Sequence, residues 1–387
     1  MTLPAENALP PDFRKLDISA RRAALKKAYG EMGLQPGVDN GDGASLADAM
    51  VESAVGYLPV PLGVAAGFLI DDRSYDIPMA VEEPSVLAAA TFAARLLRAG
   101  GGISTWATEP IMTAQVFLEG VPPGREREIE LREGEIRADL DLVLDSMRRR
   151  GGGYRSLEAV RNPETGLVRV SLRIDVRDAM GANVLNFAAE RAAGKLEAMS
   201  GGRRLMCILT NDAGERRAGA RFEIAARRLA RGGFSGEEVA RRIELASRAA
   251  DTDPTRAVTH NKGVMNGISA LALATGNDFR ALEAGVHFWA ARDGRYRGVT
   301  SFRRVGEALE GTIELPLALG AVGGSVGVHP TTALALRMLR EPDGRTLSRI
   351  AAALGLAQNF AALFALVTEG IQAGHMKLHA RKRERGG

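Results

Sequence analysis

The chain has 387 residues, 45% hydrophobic and 25% charged, which excludes intrinsic disorder and leaves room for two or three domains with well-buried cores. A single cysteine, Cys207, excludes an intramolecular disulfide framework and cysteine-rich zinc sites. Lys and Arg number 51 against 47 Asp and Glu, but the whole +4 excess sits in residues 376–387; residues 1–375 balance to zero, and nucleic acid is not expected as a partner.

In chain order, the opening Met-Thr-Leu-Pro-Ala-Glu-Asn lacks both a basic start and an apolar block, and no run of about 18 apolar residues follows. A cytoplasmic chain without a signal peptide or membrane span is expected. After a Gly-rich linker around residues 37–43, residues 55–70 alternate loosely between prolines and glycines and read as irregular strands. Residues 85–99 read as a mostly buried helix, with Pro84 suited to its first position and Gly100–Gly102 to its stop. Next come a strand (112–118), a charged helix (125–147, with Leu131, Ile136, Leu140, Val143, Leu144 and Met147 as its apolar positions) and a second strand (154–160). Residues 167–176 alternate strictly, Val168, Val170, Leu172, Ile174 and Val176 against Arg169, Ser171, Arg173 and Asp175. A helix over 184–199 and a strand over 205–210 complete βαββαβ, the ferredoxin-like order. Helices are then expected over 236–250, 277–292 and 358–380, with a strand and Gly-rich turn over 312–328. The predicted fold is mixed α+β. A large helix-rich domain (1–110 and 213–372) carries an inserted small domain (111–212), followed by a short C-terminal segment (373–387).

Four clusters carry side chains with chemical potential. Glu82-Glu83-Pro84-Ser85 places Glu83 extended ahead of a helix, as an acidic cap or as a site residue. Thr259-His260-Asn261-Lys262-Gly263-Val264-Met265-Asn266-Gly267 reads as a loop that presents an ammonium to a carbonyl or phosphate, or as a solvated turn; it lacks the spacing of a nucleoside-triphosphate loop. Asp175–Asn183 joins the alternating strand to a helix whose first N–H groups suit a pyrophosphate, without a Gly-x-Gly-x-x-Gly fingerprint. His375 and His379 stand four apart, but no acidic residue completes a zinc motif, and no metal is expected.

Together these strings resemble the class II (bacterial-type) 3-hydroxy-3-methylglutaryl-coenzyme A (HMG-CoA) reductases. The likeness rests on Val-Glu-Glu-Pro-Ser (81–85), Asp-Val-Arg-Asp-Ala-Met-Gly-Ala-Asn (175–183), Thr-His-Asn-Lys-Gly-Val-Met-Asn-Gly (259–267) and Ala-Thr-Gly-Asn-Asp (274–278). It continues through Gly-Leu-Ala-Gln-Asn (355–359) and Thr-Glu-Gly-Ile-Gln-Ala-Gly-His-Met (368–376). The family's Glu-Asn-Val-Ile-Gly appears here as Glu52-Ser53-Ala54-Val55-Gly56, and only 12 residues follow His375, so the usual C-terminal helical flap domain is expected to be missing.

The resemblance implies reduction of HMG-CoA to mevalonate and coenzyme A by two hydride transfers, or the reverse. It implies four catalytic residues: Lys262 at the oxyanion, Asp278 within its reach, Glu83 as proton donor, and His375 protonating the departing thiolate. Ser85, Asn211, Arg256, Asn266 and Gln358 match substrate-binding positions, and Arg14 a residue near the coenzyme A phosphate. Asp178, Met180, Gly181 and Asn183 match the dinucleotide site, with Asp141 facing the adenine ribose. Asp141 favours NAD(H), while Arg148–Arg150 leave NADP(H) possible. A homodimer with interfacial active sites is implied. The competing readings are a related acyl-CoA thioester reductase and a coenzyme A and dinucleotide-binding protein with impaired turnover.

Overall fold

The computed structural model describes residues 16, 17, 19, 20, 23, 24, 47–324, 326 and 329–370. The chain divides into two compact units, Met1–Pro61 and Leu62–Gly387, whereas the sequence reading joined 1–110 to 213–372. Both hydrophobic cores belong to the second unit.

That unit opens with a hairpin, β1 (Leu62–Ile70) and β2 (Arg73–Ala80). Its two-residue turn places Asp71 and Asp72 at φ 47° and 63°, the left-handed pair whose twist matches flanking strands. Strand structure is thus confined to the end of the 55–70 stretch. Helix α1 (Val86–Arg98) starts two residues after Pro84, so the proline precedes the helix instead of opening it. Arg95 and Arg98 in its last turn complement the helix dipole. Strand β3 (Ser104–Ala107) follows.

The chain next builds a self-contained layer pair. Strand β4 (Ile111–Glu119) leads to α2 (Arg125–Leu131), α3 (Glu133–Val143) and α4 (Asp145–Arg149), then β5 (Gly153–Arg161), β6 (Val168–Asp175), α5 (Ala182–Ser200) and β7 (Arg203–Leu209). The sheet order is β5-β6-β4-β7, antiparallel throughout, the ferredoxin-like arrangement. The alternation on β6 does its expected work: Val168, Val170, Leu172 and Ile174 are fully buried under the helices. The expected single helix over 125–147 is three. Arg132 and Leu144 leave helical geometry, and Glu133 and Asp145 supply acidic starts to the next segments. Leu131, expected on the apolar face, is 76% exposed because its helix ends there.

The rest of the unit is β8 (Arg217–Ala225), α6 (Gly236–Thr252), α7 (Pro254–Ala274), α8 (Phe279–Ala290), β9 (Thr300–Val305), β10 (Ala308–Pro316), α9 (Pro330–Met338) and α10 (Gly344–Val367). Its antiparallel sheet, β3-β8-β10-β9, packs against α10 through Phe222 and Phe360, whose ring centroids lie 5.1 Å apart. Helix α10 replaces the expected helix over 358–380: Asp343 caps it with a bond from the Thr346 amide, and it ends before Thr368. Residues 371–387 lie outside the described residues. Helix α10 is apolar enough, by length and composition, to cross a bilayer, yet 78% of its apolar window is buried in the protein, as befits a core helix.

Candidate active site

A cavity of about 570 Å³ opens between α1, α7 and the C-terminal half of α10. Val86, Ala89, Phe92 and Phe364 make one wall apolar; Glu83, Ser85, Arg256, Lys262, Asn266 and Gln358 make the other polar. The polar wall exists because residues 259–267 are helical, not the expected loop. Asp253 caps α7 by accepting from the Thr255 and Arg256 amides, and Pro254 takes the first position. Arg256, Thr259, Gly263 and Asn266, at i, i+3, i+7 and i+10, then share one helix face, flanked by His260 and Lys262. Of the two glycines that resembled loop signals, Gly267 serves close contact: a Cβ there would lie 3.2 Å from Gln358 and Leu354 side-chain carbons on α10.

Lys262 Nζ meets Glu83 Oε2 at 2.9 Å across this wall. Glu83 comes from the segment between β2 and α1, and it does not cap α1; the N-cap is Ser85, which makes no capping hydrogen bond. Ser85 sits at φ 83°, a left-handed conformation costing a non-glycine residue ~1 kcal/mol or more, of the kind found at functional sites.

Two further lining residues, His260 and Asn359, belong to a closed ring that the sequence did not reveal. His260 Nε2 is 2.6 Å from Thr300 Oγ1; the Thr300 hydroxyl donates to Asn359 Oδ1 at 2.8 Å, and Asn359 Nδ2 donates to the His260 carbonyl at 2.9 Å. With the threonine proton committed to Asn359, His260 donates from Nε2 and keeps Nδ1 as an acceptor. Burial, aided by the nearby Arg256 charge, pulls the imidazole down to about 4, so it is neutral at physiological pH. Among the described residues, His260 Nδ1 and Gln358 Oε1 are buried without a hydrogen-bond partner, two polar atoms left for a ligand or water.

The other expected site residues gather elsewhere. Asp278 caps α8, accepting from the Arg280 and Ala281 amides, and pairs with Arg280 at 3.2 Å. It is not among the residues lining the cavity, and its partners are the Arg280 side chain and the Arg280 and Ala281 amides, whereas Lys262 pairs with Glu83. Asn211, expected against the substrate, lies with Met180, Ala281 and Gly285 in a small cleft beside α8. The Asp178 carboxylate accepts from the Gly344 amide at the start of α10, 3.1 Å away. Gly181, at φ 107°, caps α5; a Cβ there would lie 2.8 Å from Val176. That helix start has no side-chain cap and no acid in its first turn, and Asn183 is exposed on it, which fits a pyrophosphate. Asp141 is half-buried on α3. The break at Leu144 removes the continuous helix that related it to Arg148; Arg148 and Arg149 instead pair with Asp145, at 3.4 and 3.1 Å. Arg14 and His375 lie outside the described residues. Among the described residues, no group of three His, Cys, Asp or Glu is placed to hold a metal ion.

The profile of the family described as hydroxymethylglutaryl-coenzyme A reductase matches residues 17–380. The chain is 44% identical over 392 aligned positions to 3-hydroxy-3-methylglutaryl-coenzyme A reductase of Archaeoglobus fulgidus, covering 96% of this chain and 85% of the relative. It is 34% identical to the probable reductase of Borreliella burgdorferi, covering 97% and 86%. Among solved structures, a Streptococcus pneumoniae reductase superposes with a TM-score of 0.83 at 38% identity, over 96% of this chain and 90% of that one. A class II structure from the same organism, described as bound to NADPH in open conformations, gives 0.82 at 37% identity, over 92% and 99%. The chain thus belongs to the hydroxymethylglutaryl-coenzyme A reductases, on their class II, bacterial-type branch.

Proposed function

We propose that the cavity between α1, α7 and α10 holds the hydroxymethylglutaryl group and that Lys262 is its electrophilic partner. The reaction is that of the family: an oxidoreductase reduces HMG-CoA to mevalonate with a nicotinamide dinucleotide. The observation that carries the assignment is the Lys262–Glu83 pair, 2.9 Å apart on the polar wall of an otherwise apolar cavity. An ammonium there donates to the oxygen that gains charge as hydride reaches the thioester carbon. The carbon–sulfur bond then breaks, and the leaving thiolate takes a proton, the role proposed for His375. A second hydride reaches the aldehyde carbon, and Glu83, once it has taken up a proton from solvent, gives the proton that completes the alcohol. Two hydrides and two protons thus yield mevalonate and the free thiol. Arg256 and Ser85 are proposed to hold the substrate carboxylate, with Asn266 and Gln358 beside them and Arg14 near the coenzyme A phosphate.

The dinucleotide supplies the hydride; the uncapped start of α5, with Asp178, Met180, Gly181 and Asn183, would hold its pyrophosphate. NADH is the proposed form, because Asp141 would accept from a ribose 2′-hydroxyl and Arg148 and Arg149 are already engaged by Asp145. Asp278 and Asn211 do not line the cavity that holds Lys262, and the reading takes them to act from a second copy, in a homodimer whose sites lie between chains. Residues 62–110 and 213–372 form the proposed substrate domain and 111–212 the dinucleotide domain, and the cytoplasm is the proposed compartment.

Loss of dinucleotide absorbance with HMG-CoA present tests the whole. Oxidation of NADH at a higher kcat/KM than NADPH is expected; no oxidation of either sinks the site, and a preference for NADPH sinks the role of Asp141.

A further inference from the structure

Arg216 is 4% exposed, and among the described residues its guanidinium bonds to main-chain carbonyls alone. Nη1 donates to Ala179 at 2.8 Å and to Met180 at 3.4 Å; Nη2 donates to Leu319. Burial lowers its pKa to about 10 against the opposing pull of Asp175 and Asp178, so it remains a cation at neutral pH. A buried charge that reads only backbone fixes the relative position of the segments it joins. Here those are the loop ahead of α5 and the strand-like segment after β10.

The same segment is gripped from its other side. The Gly320 amide donates to Asn277 Oδ1 at 2.7 Å, and the Gly320 carbonyl accepts from Asn277 Nδ2 at 3.0 Å. Asn277 is buried and immediately precedes Asp278. Gly320 also lies so close to the loop that a Cβ on it would be 2.5 Å from the Met180 amide nitrogen. Further along, Ala321 donates its amide to the Asp178 carbonyl at 2.7 Å, and the Asp178 carboxylate accepts from Gly344. Residues 317–321 are thus a spacer with the loop before α5 on one side and the anchor of Asp278 on the other.

We infer that Arg216 and Asn277 are positioning residues that hold the dinucleotide loop and Asp278 in fixed register through Gly320. The inference rests on the proposed reading that residues 178–183 carry the dinucleotide and that Asp278 serves the reaction. A shift of one partner against the other by a fraction of an ångström would misplace the hydride donor relative to the proton-transfer groups.

Three variants are compared with the full-length protein: Arg216→Lys, Asn277→Ala and Gly320→Ala. The last removes no hydrogen bond and acts by displacing the Met180 amide, so it remains informative even if the first two lose stability. Dissociation constants for NADH and HMG-CoA are measured separately by calorimetry, below each variant's melting temperature. Arg216→Lys and Gly320→Ala are expected to weaken NADH about tenfold while HMG-CoA changes by less than about twofold. Asn277→Ala is expected to lower kcat about tenfold with both dissociation constants held. A purely structural role would lower Tm and leave both ligands' affinities and the kcat per folded site at wild-type values; that result overturns the inference. A fourth variant, Asn183→Glu, places a negative charge at the helix start. If it leaves NADH affinity unchanged, the loop is not the dinucleotide site and the reading beneath the inference falls. If it weakens NADH while the first three variants do nothing, the positioning role alone is wrong.

Discussion

Lys262 and His260 stand two residues apart on one helix and do opposite things with charge. The Lys262–Glu83 pair is half-exposed, 59% and 35% for the two side chains, and pairs of that kind contribute only about 0.2–1 kcal/mol to stability. An ammonium at a developing oxyanion is worth roughly 3–4 kcal/mol in the transition state. Lys262→Ala is therefore expected to lose at least about two orders of magnitude in kcat with a Tm close to wild type; a variant keeping a tenth of the activity would remove Lys262 from the mechanism. His260 is buried and neutral, held down to about 4 against an ordinary value of 6.5. Its folded pKa lies below its unfolded one, so the unfolded chain binds more protons between those values and stability rises with pH across them. The contribution is complete above about pH 6.5 and is lost as pH falls toward 4. Between pH 7.5 and 5 the imidazole should cost the native state about 2 kcal/mol. Urea unfolding at both pH values, for wild type and His260→Gln, checks this: the variant should lose less stability on acidification, and equal losses would show that other groups dominate.

At the scale of elements, the cavity depends on how closely α7 and α10 approach. A Cβ on Gly355 of α10 would lie 2.7 Å from Ile268 Cδ1 and 3.1 Å from Val264 Cγ1, whereas one on Gly267 would meet α10 at 3.2 Å. Alanine gains up to about 1 kcal/mol of helix propensity at either position, and overpacking costs about 1–3. Gly355→Ala is thus expected to destabilise by up to about 2 kcal/mol, because overpacking exceeds propensity there. Gly267→Ala should leave stability nearly unchanged and raise the KM for HMG-CoA by pressing on Gln358. Denaturation midpoints and kinetics separate the two; a stabilised Gly355→Ala would mean that the helices have room to part. This pair also marks what the sequence could and could not reveal. The period-two run on β6 was legible because one face is wholly apolar, and βαββαβ followed from it. Residues 259–267 read as a loop because glycines and side-chain amides are turn formers; the Asp253-Pro254 start that makes them helical lay six residues upstream. Of the breaks within 125–149, the one at Arg132 left only Gly134 two residues on as a mark, and the one at Leu144 has no glycine or proline beside it. The His260–Thr300–Asn359 ring joins residues 40 and 59 positions apart and has no local signature.

Across the whole molecule, the expected site residues fall into two groups. Glu83, Ser85, Arg256, Lys262, Asn266 and Gln358 line one cavity; Asp278, Asn211 and Met180 lie near the start of α8. The family strings named the members of both groups but carried no distance between them. In the structure the two groups lie at separate cavities: Lys262 pairs with Glu83, and Asp278 with Arg280. On the proposed reading, a second copy presents its Asp278 to this chain's Lys262, and a symmetric dimer would then contain two such composite sites. Complementation tests this directly. Lys262→Ala and Asp278→Ala are each expected to be inactive alone. When they are unfolded together and refolded as a mixture, half the dimers should be mixed. Each mixed dimer then regains one intact site, restoring roughly a quarter of wild-type activity. Sites contained within single chains would give no recovery, because every chain carries a lesion. A recovery near zero from a mixture that refolds into dimers would therefore refute the composite site while leaving the Lys262–Glu83 cavity intact.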